Sequence, residues 1–188
     1  MFDLDGMPPY LDELDKIYLW GMKVFGDRPS PFLYATAGFD TAGDRNGWEK
    51  FLTLARGSLE NYGDIPFVHW AAYERTQLER YMKRFGDPTG TAERVRRNLL
   101  NLHRVTLDSV VLPLPSYSLK VIEKYIGFKR TQGEYGGEWT MAKYIEATET
   151  RDGSKRTEFI NEILKYNEED LNATWAVFEW LRRLRNES

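Results

Sequence analysis

The 188-residue chain has no cysteine. That excludes disulfides, thiolate metal sites and cysteine nucleophiles, and it fits a reducing cytoplasm. Its two histidines, His69 and His103, are too few for a histidine-rich metal centre. No apolar run approaches the ~20 residues that cross a bilayer, so no membrane partner is expected. The first residues are acidic and lack the basic start and apolar stretch of a secretory signal. There is no glycine-rich phosphate loop and no Ser-His-Asp spacing. Positive charge is also short: the net charge is −3, whereas nucleic-acid binders are usually basic.

What is present is ordinary for a soluble globular protein, with 41% hydrophobic and 29% charged residues. One domain over residues 1–188 is expected. Basic residues cluster at Lys83-Arg84, Arg94–Arg97, Lys129-Arg130 and Arg182–Arg185, and most of these read as solvated helix faces.

Strands crowd the first third. "MFDLDG" alternates apolar and acidic residues, Pro8-Pro9 signals a turn, and "KIYLWGMKVFG" and "SPFLYATAG" read as two further strands. Short connections make this an antiparallel meander. Trp48, Phe51, Leu52, Ala55 and Leu59 then fall at helical spacing, ended by Gly63. "IPFVHW" suits a buried strand and feeds a helix that Gly86 stops. "TAERVRRNLLNLHRVTLDSVVLPLP" starts helical and is ended by prolines. "SYSLKVIEKYIGF" predicts a short helix capped by Ser116 or Ser118. The remainder is helical, finishing in one long helix or two in line.

Three places put carboxylates where chemistry needs them. On a strand, Asp3 and Asp5 share a face with Cα atoms ~7 Å apart. Aspartate is a poor strand former and like charges on one face repel; a metal ion would remove that penalty. Glu74 stands where the buried strand hands over to a helix, a position the helix dipole also favours. Tyr166 and Asp170 are four apart, stacked on one helix face ~6 Å apart. Glu168 and Glu169 read as solvated, and His69 and His103 as structural residues without evident partners. Hard divalent ions prefer carboxylate oxygens. Two of them ~4 Å apart clamp the attacking and leaving oxygens of a phosphodiester, and about four carboxylates from separate elements are needed to hold them.

The order D-x-[D/E], a mid-chain acidic residue, then Y-x-x-x-D resembles the DEDD-type 3′–5′ exonuclease superfamily, with its ribonuclease-H-like fold. "FDLDG", "IPFVHWAAYERTQLERY", "DSVVLPLPSYSLKVIEKYIGF" and "EILKYNEEDLNAT" are similar to the ribonuclease-H-like domain of predicted RecB-type nucleases, over nearly the whole chain. The resemblance implies an α/β fold: a mixed five-stranded sheet, three antiparallel strands first, flanked by helices. It implies two Mg²⁺ or Mn²⁺ ions on Asp3, Asp5, Glu74 and Asp170, with Tyr166 orienting the attacking water. Lys120 becomes a candidate contact to substrate phosphate as a point-charge donor. The implied partner is nucleic acid, DNA or RNA. The implied context is the C-terminal part of a larger protein with an N-terminal nuclease module.

Two positions depart from the superfamily. Asp5 stands where glutamate is usual and reaches ~1.5 Å less. Glu74 stands where other exonucleases carry aspartate, a form that suits the predicted subgroup. A catalytically weak nucleic-acid-binding module of the same fold is the alternative expectation. A partner-binding domain built on the aromatic content, 14% of residues, is a third.

Overall fold

The computed structural model describes residues 1–8, 15–38, 41–133 and 136–187. Part of the Pro8-Pro9 turn and of the glycine-rich stretch before the late helices lies outside them.

Three strands open the chain: β1 (Phe2–Gly6), β2 (Ile17–Met22) and β3 (Leu33–Thr36). They pair antiparallel in the order β1-β2-β3. The register sets Asp3 opposite Gly21 and Asp5 opposite Leu19. Phe2 and Leu4 therefore face one way and the two aspartates the other. The apolar face packs with Trp20, Met22 and Ala35 on α1 (Thr41–Tyr62) and α2 (Tyr73–Phe85). Trp20 stacks on Phe51 with centroids 4.5 Å apart, and Phe2 stacks on the same ring at 5.5 Å. All six residues of β2 are buried, because its other face is covered too. There Tyr18 stacks on Tyr144 at 4.1 Å.

The expected five-stranded sheet is not what forms. β4 (Phe67–His69) and β5 (Leu99–Asn101) make a separate parallel pair. β4 is three residues long. Pro66, which has no N–H to give a ladder, precedes it, and Ala71 just beyond it turns the chain away at φ 64°. β4 therefore meets β1 through side chains: Phe67 stands edge-on to Phe2 at 6.1 Å. β5 also interrupts a stretch read as helical. α3 (Thr91–Arg97) ends before it and α4 (Leu102–Ser109) starts after it. Leu99–Asn101 is too short for periodicity to declare it, and pairing with β4 decides its state.

The second layer is α5 (Leu119–Tyr125), α6 (Gly137–Glu149) and α7 (Gly153–Glu187). Ser118 is the residue before α5, though its side chain makes no capping bond. α7 is one continuous helix of 35 residues, about 50 Å long. It crosses β1 and β2 on the face carrying the aspartates. Lys23, just past β2, fixes the crossing: its Nζ donates to Glu168 Oε1 at 2.7 Å and to Asn172 Oδ1 at 3.1 Å. Phe25 stacks on Trp175 at 5.0 Å.

Gly21 sets how closely α7 approaches. A Cβ there would lie 1.8 Å from Asn167 Oδ1 and 3.2 Å from the Phe32 ring. Gly21→Ala is expected to cost on the order of 1–3 kcal/mol in urea unfolding, and Asn167→Ala added to it should recover part of that loss. A neutral Gly21→Ala would contradict the close approach.

Candidate acidic site

Asp3 and Asp5 lie on one strand face as the alternation predicts, and α7 closes over them. Asn167 Nδ2 donates to Asp3 Oδ2 at 2.7 Å and to Asp5 Oδ2 at 3.0 Å. Thr140 of α6 donates its hydroxyl to Asp5 Oδ1 at 3.3 Å. One amide thus bridges two carboxylates, while its own Oδ1 is buried without a hydrogen-bond partner among the described residues.

Asp170 lies one helical turn after Asn167 and faces the same centre. It accepts from Arg130 Nη2, and Lys120 Nζ is 3.7 Å from its Oδ1. Arg130 is only 8% exposed. Its Nε and Nη2 fork onto Glu123 of α5, both at 2.7 Å. Tyr166 is buried one turn before Asp170. Its ring carries Lys120 above it, 4.5 Å from the centroid.

Glu74 opens α2 and is buried. Its Oε2 is 3.2 Å from His69 Nδ1. His69 therefore has a partner, contrary to the sequence reading, and its Nε2 is buried with none among the described residues. His103 lies beside the Trp70 ring at 5.5 Å.

The carboxylates act on one another. Burial first, then the charges of Asp170, Asp5 and Glu74, push the Asp3 carboxyl well above the usual range, with Arg130 pulling back. Asp5 is pushed up to about 7 by burial and then by Asp170, against the hydrogen bonds from Asn167 and Thr140. Burial also raises Asp170, despite Arg130 and Lys120. Burial lowers Lys120 against the pull of Asp170. The buried Tyr166 phenol is raised by burial and then by Asp170 and Asp5.

The donor set is therefore hard oxygen and acidic, which fits Mg²⁺ or Mn²⁺ chemically. The arrangement itself is partly closed. Asn167 engages the first two carboxylates and Arg130 the third. Among the described residues no group of three or more His, Cys, Asp or Glu is gathered closely enough to enclose one ion. Asp5 also lines an open cleft of about 680 Å³ with Tyr18, Tyr73, Thr140 and Arg80, so the centre has a route to solvent.

Residues 7–182 match the sequence profile of the RNase H superfamily. The chain belongs to that superfamily. The match takes in Glu74, Lys120, Tyr166 and Asp170 but starts after Asp3 and Asp5, which join the site through the geometry of β1. No curated protein and no solved structure matches the chain.

Several members of this acidic site were not evident from sequence. Asn167 had a usable signal, lying three residues before Asp170 on one helix face. Arg130 read as part of a solvated basic pair, yet it is buried between Glu123 and Asp170. Glu169, expected in solvent, is 7% exposed. Its Oε1 accepts the backbone N–H of Thr131 at 2.7 Å and of Gln132 at 3.3 Å, which pins the turn after Arg130.

Asp5 gives a stability signature. Its carboxyl keeps a proton to about pH 7 in the folded chain and to ~pH 4 unfolded. Between those values the folded state binds more protons, so the contribution of Asp5 to stability falls as pH rises, then levels off. In EDTA, the Tm of wild type minus that of Asp5→Asn should become more negative between about pH 4.5 and about pH 8. A pH-independent difference would contradict the repelled state.

Proposed function

We propose that this chain is a metal-dependent nuclease domain that hydrolyses phosphodiester bonds, working as a 3′–5′ exonuclease of DNA or RNA. The observation that carries the reading is the mutually repelling carboxylate set of an RNase H superfamily chain, with Asp5 and Glu74 buried and Asp3 and Asp170 half-buried, opening onto a cleft through Asp5. Asp3, Asp5, Glu74 and Asp170 would hold Mg²⁺ or Mn²⁺. Such ions, when bound, activate water and neutralise charge on the phosphoryl group. The Tyr166 hydroxyl, beside Asp170, orients the attacking water. Lys120, facing Asp170 across 3.7 Å, offers a point charge to substrate phosphate. α7 and α6 shield the centre, which strengthens each of these charges.

A second reading, a nucleic-acid-binding module without turnover, rests on one observation: Asn167 and Arg130 already hold the carboxylates that ions would take.

One assay separates the two. Labelled single-stranded DNA and RNA are incubated with Mn²⁺, Mg²⁺ or EDTA. Stepwise shortening from the 3′ end is expected, abolished by EDTA and reduced at least about 100-fold by Asp170→Asn. Binding without metal-dependent cleavage would install the second reading.

A further inference from the structure

Beside the acidic centre, on the far side of Lys120 and Arg130, is a cavity of about 540 Å³. Its wall carries Lys120, Lys124, Lys129 and Arg130, with Phe128 and Glu123. Glu123 is already committed, because it takes both prongs of the Arg130 fork. Lys120, Lys129 and Arg130 therefore bring positive charge to this space, and Glu123 is the carboxylate among its described walls.

The donors are also incomplete. Arg130 Nη1 and Lys120 Nζ are both buried without a hydrogen-bond partner among the described residues. Buried donor atoms left without a hydrogen bond are costly to keep in a fold, even on groups that have an ion-pair partner. A tetrahedral oxyanion, with several acceptor oxygens, satisfies guanidinium and ammonium donors together. Phe128 is half-buried and adds an apolar wall suited to a sugar or base.

We propose that this cavity is a phosphate subsite that grips the backbone of the nucleic-acid strand next to the scissile position. The inference rests on the nuclease reading for its choice of ligand. Arg130 and Lys120 line the cavity and also meet Asp170, so a strand leaving the acidic centre over Asp170 passes the cavity mouth. The subsite explains why Arg130 is held so firmly: Glu123 and Asp170 fix two edges of the guanidinium and leave the third to the ligand.

The test uses the full chain in EDTA, so that binding is read without cleavage. Lys124 and Lys129 are exposed, and Lys124→Ala/Lys129→Ala should fold normally. Its Kd for a short labelled single-stranded oligonucleotide should rise about tenfold. The slope of log K against log salt should fall by about 1 to 2. Lys50→Ala/Arg183→Ala, on other exposed faces, should change neither. A parallel calorimetric titration with inorganic phosphate should show binding that the Lys124/Lys129 variant weakens. Unchanged oligonucleotide affinity in that variant overturns the subsite, as does a wild type that binds neither probe. Cleavage with an unaltered KM in the variant would remove the subsite and leave the nuclease. Phosphate binding lost in the variant, with no cleavage by wild type, would keep the subsite and remove the nuclease.

Discussion

Asp3, half-buried, and Asp5, buried, stand side by side on one face of a short strand, and their mutual repulsion is the constraint that the surrounding structure answers. Such a pair is costly to bury unless something nearby takes up the charge. The chain supplies a neutral amide from Asn167 and a hydroxyl from Thr140. Both come from helices that must therefore lie flat on the strand. Gly21 on the neighbouring strand clears the space for that amide, and Lys23 pins the middle of α7 through Glu168 and Asn172. The aromatic layer beneath, from Phe2 and Trp20 to Phe51, gives β1 the rigidity to hold the pair in place.

Asp170 belongs to the same electrostatic problem but receives a different answer. Its charge is met by Arg130 and Lys120, and Arg130 is held in turn by Glu123. Acidic and basic groups therefore alternate across the site: carboxylates over the strand, cations over α5, with Asp170 between them. An enzyme acting on a polyanion needs both signs at close range, one for ions and one for the strand. The same alternation reconciles a net negative chain with the proposed nucleic-acid substrate, because the positive charge that matters is local.

The legible parts of the sequence were those with a period or a pair. The alternation in "FDLDG" placed both aspartates on one face, and the spacing of Trp48, Phe51, Leu52, Ala55 and Leu59 placed α1. Tyr166 and Asp170 fell on one helical face as read. The illegible parts depend on contacts distant in sequence. Three residues at Leu99–Asn101 become a strand only because Phe67–His69 lies alongside. Arg130 looks like any exposed arginine until α5 and α7 close on it. Glu169 looks like its neighbour Glu168, yet the Thr131 and Gln132 amides turn it inward. The separation of the two sheets likewise follows from Pro66 and Ala71, whose effect on pairing is decided by where β1 lies.

The central proposal is that Asp3, Asp5 and Asp170 contribute to a divalent-cation site. Mn²⁺ titration followed by electron paramagnetic resonance measures this directly, without substrate. The account predicts saturable Mn²⁺ uptake by the wild type that competes with Mg²⁺ and is sharply weakened in Asp5→Asn. Equal uptake by wild type and Asp5→Asn, or none by either, would contradict it.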